Sequence, residues 1–197
     1  MNEVVIPIRG ICSSMKRLRL HLSNDVVDEI VDALFQKAIK VVLDNSFIPI
    51  VVTADTLLAS KLADQEIIVY TDDGNSLNKA ILDVIKNRRL TELFLVMPDL
   101  PGINNQNFKK ILYLKDLYEN IIVPTTDLGT AITSIPSKIL TQPVFGPNSS
   151  EKIKGLLDNS GHFYSIYHCQ SLENDLDTIH DWAYWKETIK LERSTKS

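Results

Sequence analysis

Glycine is scarce in this chain: seven of 197 residues, roughly half of the usual share of about 7%. Extended glycine-rich phosphate cradles are therefore excluded, and neither a P-loop with its Gly-Lys-Ser/Thr ending nor a dinucleotide fingerprint occurs. Positive charge is also short, with 21 Lys and Arg against 25 Asp and Glu and a net charge of −4. That balance leaves no basic footprint for nucleic acid, whose binding rests on phosphate neutralisation, although it permits a small anionic ligand in a local basic pocket. No apolar run approaches the ~18 to 20 residues that span a bilayer. The start, residues 1–8, lacks the basic segment and long apolar run of a signal peptide. Cysteine is limited to Cys12 and Cys169, far apart and without a CxxC partner, which reads as free or packed thiols in a reducing cytoplasm. His21, His162, His168 and His180 show no metal-ligand spacing, and the strand-end serines lack a nucleophile-elbow context.

What is present is an ordinary globular composition, 44% hydrophobic and 23% charged, in a length that fits one domain over 1–197. Short apolar runs alternate with helical patterns, the signature of β-α units around a mainly parallel sheet. Strands are expected at 4–8, 47–53, 66–70, 92–97, 121–123, 131–135 and 163–167. Helices are expected from a Ser23 cap, with apolar positions from Val27 to Val42 at helical spacing, over 54–62, from a Ser76 cap to about Arg88, and from Asn104 or Asn105 to about Asp116. Asn148 with Glu151 predicts a reciprocal cap for a helix to about Leu157, and Thr178 with Asp181 opens an aromatic helix holding Trp182, Tyr184 and Trp185. That helix reads as a packing or subunit-contact surface.

In open α/β sheets ligands collect outside the carboxyl ends of the strands. Four polar clusters fall there, at 9–19, 71–78, 98–102 and 126–130, and the fold should bring them to one rim. The first holds Arg9, Gly10, Ser13, Ser14, Lys16, Arg17 and Arg19: it suits a triphosphate or is a solvated basic loop. Asp99, between Pro98 and Pro101, suits Mg²⁺, which takes oxygen donors and few protein carboxylates, or satisfies turn amides. Asp175 and Asp177, if extended, share one side and repel unless a cation joins them. Alternatively they are acids favoured at a helix entry.

Together these segments resemble the 2-phospho-L-lactate guanylyltransferase family of deazaflavin coenzyme F-420 biosynthesis. The likeness runs from Val5 to about Trp182 through Ile6-Pro7-Ile8, Arg17-Leu18, Leu77-Asn78-Lys79-Ala80, Pro98-Asp99-Leu100-Pro101, Gly129-Thr130, Phe145-Gly146-Pro147-Asn148-Ser149 and Asp175-Leu176-Asp177-Thr178. The resemblance implies a three-layer α/β/α fold of the nucleotide-diphospho-sugar transferase, GT-A-like type. It implies GTP phosphates held by the first loop, with Arg9, Gly10, Ser13, Ser14, Lys16 and Asn78 as nucleotide contacts. Lys16, Arg17 and Asp99 become catalytic residues, Asp99, Asp175 and Asp177 ligands of Mg²⁺, and Thr130, Gly146 and Ser149 contacts to a phosphorylated three-carbon acid. A homodimer is implied as well. A phosphate monoester is mostly dianionic at neutral pH and needs no general base, which suits a chain without a catalytic histidine. Charge neutralisation and in-line positioning are what the reaction requires. Other readings are a nucleotidyltransferase with a sugar-phosphate or molybdopterin acceptor, and a nucleotide-binding protein without turnover.

Overall fold

The computed structural model describes residues 2–63, 65–74 and 76–194. Seven strands join one sheet: β1 (Glu3–Pro7), β2 (Ile48–Thr53), β3 (Ile68–Thr71), β4 (Glu92–Val96), β5 (Asn120–Pro124), β6 (Thr130–Pro136) and β7 (Tyr164–Ile166). Their order is β3-β2-β1-β4-β6-β5-β7. All pairings are parallel except those of β6, which runs antiparallel to both β4 and β5. Among the described residues the α-helices are α1 (Asn24–Asp44), α2 (Thr56–Leu62), α3 (Leu77–Arg88), α4 (Asn105–Tyr118), α5 (Ser149–Asn159), the short α6 (Gln170–Glu173) and α7 (Ile179–Ser194). The expected strands and long helices are all present, with ends moved by one or two residues. The α6 turn had no counterpart in the sequence reading, and Asn75, in the turn expected at 71–75, lies outside the described residues.

Period-two alternation splits the core into two layers. Val4, Ile6 and Ile8 pack with Val27, Ile30 and Leu34 of α1 and with Phe108 of α4, whereas Val5 packs with Ile81 and Val84 of α3 and Ile153 of α5. The sheet is thus covered on both faces, as continuous apolar strands demand.

Two expected caps are corrected. Ser23 and Asn148 occupy N-cap positions, but neither side chain bonds a helix amide. Asn148 lies in the left-handed region at φ 57°, which turns its side chain away from a capping geometry; Ser150 Oγ instead donates to the Leu128 carbonyl at 2.9 Å. Asn104 does cap α4, with Asn107 reciprocating, and Thr178 Oγ1 and Asp181 bond each other across the start of α7. The aromatics of α7 serve mainly its own fold. Trp185 is buried and donates Nε1 to the Asn174 carbonyl at 3.2 Å, Trp182 packs against the core, and Tyr184 is left exposed. Among the described residues no helix is long and apolar enough to cross a membrane.

Candidate functional site

From β1 the chain progresses through β2 to β3 on one side, while the neighbour on the other side is β4. This reversal opens a crevice at the carboxyl ends of β1 and β4, the usual ligand position in such sheets. The expected rim is real: all four polar clusters reach it.

The larger cavity there, about 410 Å³, is walled by Arg9, Ser13, Ser14, Met15, Lys16 and Arg17 after β1, by Asp72, Gly74 and Ser76 after β3, and by Asp99 and Asp177. Gly10 makes the first loop possible. Its φ is +147°, and a Cβ there would lie 2.9 Å from Asp55 Oδ2. Its carbonyl accepts the Ser14 hydroxyl at 2.7 Å and the Ser13 hydroxyl at 3.4 Å. Gly10 therefore shapes the loop without lining the cavity. Arg19 is a correction to the expected phosphate-facing cations. Its guanidinium donates to the carbonyls of Ser14 and Ile11 and to Asp28 at 2.6–2.8 Å, so it staples the loop from inside. Among the described residues Arg9 and Lys16, both exposed, have no ion-pair partner, whereas Arg17 Nη1 lies 2.9 Å from Asp177 Oδ2.

Asp99 follows β4 at the floor of the crevice, and its carbonyl accepts the Leu176 amide at 3.0 Å. That bond, with Leu176 fully buried, pins the segment carrying Asp175 and Asp177 beside Asp99. Burial first, then the negative charges of Asp177 and Asp127, push Asp99 up to about 6. Burial and the neighbouring Asp99, Asp127, Asp181 and Asp177 raise Asp175 to about 7. Five carboxylates thus form one acidic group. Among the described residues, however, no three acids, histidines or cysteines converge as a ready-made metal centre, and Asp177 is engaged by Arg17. The expected trio is gathered but not closed.

A second cavity of about 200 Å³ adjoins the first, and Leu77, Met97 and Asp99 line both. It contains Thr130, Gly146 and Ser149, as expected, together with Asp127 and Asp175. Thr130 Oγ1 and Ser149 Oγ are 2.7 Å apart and buried. Gly146 has φ +124°, and a Cβ built on it meets nothing within 4 Å, so the space it leaves faces the cavity. Ser149 begins α5, whose helix N-terminus favours negative charge.

Two assignments change. Asn78 lines neither cavity; its side chain bonds the main chain of Val144 and Phe145, so its carboxamide is turned to that loop and not to the wall of the larger cavity. Asp127 was missed. It accepts the Thr125 hydroxyl at 2.5 Å and the Gly129 amide at 3.0 Å, the first of which holds its carboxyl below the usual range. Asp-x-Gly after two threonines was its sequence signal, a common turn pattern that does not by itself mark a site.

Comparison with known proteins adds to this geometry. Residues 2–181 match the family described as "Guanylyl transferase CofC like". The 2-phospho-L-lactate guanylyltransferase of Methanosphaera stadtmanae is 26% identical over 190 residues, covering 92% of this chain and 82% of that protein. Among solved structures, a protein from Desulfovibrio desulfuricans G20, provisionally titled a nucleotide-diphospho-sugar transferase, superposes with a TM-score of 0.79 at 13% identity, over 98% of this chain and 94% of the other. The 4-diphosphocytidyl-2C-methyl-D-erythritol synthase of Anaerococcus prevotii superposes with a TM-score of 0.64 at 9% identity, over 95% and 97%. At such identities the structural likeness shows a shared fold.

Proposed function

The chain belongs to the CofC-like guanylyl transferases, and we propose that it moves GMP from GTP onto the phosphate of 2-phospho-L-lactate, or of phosphoenolpyruvate or 3-phosphoglycerate, as a step toward coenzyme F-420. The observation that carries this reading is the shared wall: Asp99 lines both a large cavity rimmed with cations and a small one with hydroxyls and a helix N-terminus. A triphosphate suits the first, an acidic phosphoester the second.

A dianionic phosphate oxygen of the acceptor attacks the α-phosphorus of GTP. A P–O bond forms, the bond to the bridging oxygen of the β-phosphate breaks, and pyrophosphate leaves with that electron pair. No proton needs to be removed from the nucleophile. The work of this chain is positioning and neutralisation: Arg9 and Lys16 meet phosphate oxygens, Arg17 takes the charge developing at the reacting phosphate, and the α5 terminus with Thr130 and Ser149 orients the acceptor.

The acidic group fits a hard divalent cation, because Asp99 and Asp175 are raised by burial and mutual repulsion, which an ion relieves. Asp99 with Asp175 or Asp177 would hold Mg²⁺, leaving its other positions to phosphate oxygens. When bound, the ion polarises the phosphate and offsets its charge.

The test is pyrophosphate release with GTP, Mg²⁺ and each acceptor in turn. Release with one of the three acids is expected. Silence with all of them, under conditions in which GTP binds, overturns the reading, and release with a sugar phosphate in their place redirects it to another acceptor class.

A further inference from the structure

The Asn78 carboxamide makes three hydrogen bonds, all to main chain 66 to 67 residues away. Oδ1 accepts the amides of Val144 at 2.8 Å and Phe145 at 2.9 Å, and Nδ2 donates to the Phe145 carbonyl at 2.8 Å. Resting on the reading above, we propose that Asn78 is a positioning residue that locks the acceptor loop 144–146 to the nucleotide-binding end of α3.

Its place in the fold makes it a coupler. Ser76 and Leu77, the two preceding residues, line the large cavity, and Leu77 lines the small one as well. On the other side of the lock, Phe145 leads into Gly146, whose carbonyl accepts the Ser149 amide at 3.1 Å, and Ser149 in turn bonds Thr130. One side chain thus connects the helix start beside the nucleotide with every expected contact to the acceptor. Val144 is only 1% exposed, so its amide finds no ready solvent replacement if Asn78 is lost, and leaving such groups unpaired is costly. Only a side chain that both accepts and donates, with asparagine's reach, satisfies two N–H groups and one C=O together.

The test compares Asn78→Ala and Asn78→Asp with the wild type. The alanine variant is expected to raise KM for the accepted three-carbon acid by about tenfold or more, with a smaller fall in kcat and a GTP dissociation constant within about twofold of wild type. Hydrogen exchange should show the Val144 and Phe145 amides deprotected in the alanine variant. They should stay largely protected in the aspartate variant, which keeps the acceptor but loses the donor. A parallel loss of GTP affinity would make Asn78 a nucleotide contact and overturn the proposal. Unchanged protection over 144–149 with unchanged KM would overturn it too. If the wild type is silent with every acid, the substrate reading fails on its own, and exchange at 144–149 with GTP affinity still decides the lock.

Discussion

Arg17 holds Asp177 across the mouth of the larger cavity, 2.9 Å from Nη1 to Oδ2, with the two side chains 74% and 38% exposed. The pair joins the cation expected to meet phosphate to a carboxylate expected to meet metal. Exposed pairs of this kind contribute little to stability. Arg17→Ala should therefore lower kcat for pyrophosphate release by about 10²-fold or more, while Tm shifts by less than about 2 °C. A large thermal loss with near-normal turnover would assign Arg17 to the fold instead.

Asp99→Asn keeps the shape of the residue and removes the charge that both cavities share. Turnover should fall by about 10³-fold or more. Because the half-buried carboxylate is raised to about 6 by desolvation and its acidic neighbours, the ligand-free variant should melt no lower than the wild type at pH 8. Steady-state kinetics and a thermal melt decide it; retained activity would remove Asp99 from the centre of the reaction.

Asp99 and Asp175 also predict an unusual pH profile. Both lie above their ordinary 3.8 in the folded protein, at about 6 and about 7, so the folded state holds protons that the unfolded state releases. Their stabilising contribution is full below pH ~4 and is lost as pH rises through 6 and 7. Asp44 and Asp127 are shifted downward, and their opposite contribution is complete by pH ~5. Tm of the metal-free protein should accordingly decline between pH 5 and 8, with a shallower decline in Asp175→Asn and in saturating Mg²⁺. A profile that rises over that interval in the wild type would contradict the acidic group.

Two glycines separate function from folding. Gly146→Ala adds a methyl toward open space at φ +124°, so it should raise acceptor KM by about tenfold through strain and occupied volume, with GTP binding preserved. Gly102→Ala would place a Cβ 1.9 Å from the Ser171 carbonyl oxygen. It should lower Tm by several degrees while leaving the ratio of the two substrates' affinities unchanged. Calorimetry and kinetics on both variants test the contrast.

Local pattern determined much of this protein. Apolar period two and period 3.6 set the strands and helices, because burying one face is the dominant local demand, and the order of those elements set a parallel α/β sheet with ligands at its carboxyl rim. Scarcity of glycine pointed away from a backbone phosphate cradle, and the structure supplies side-chain cations at Arg9, Lys16 and Arg17 instead. What composition could not decide was direction. Arg19 and Arg17 sit two residues apart in one basic run, yet one is folded inward onto the carbonyls of Ser14 and Ile11 and onto Asp28, and the other reaches the crevice. Asn78 directly follows Ser76 and Leu77 of the larger cavity's wall, yet its hydrogen bonds go to the main chain of Val144 and Phe145. Asp127 joins Asp99 and Asp175 only because β6 turns back antiparallel between β4 and β5. Side-chain partners far apart in sequence are chosen by packing and hydrogen-bond satisfaction in three dimensions, and only the tertiary structure decides them.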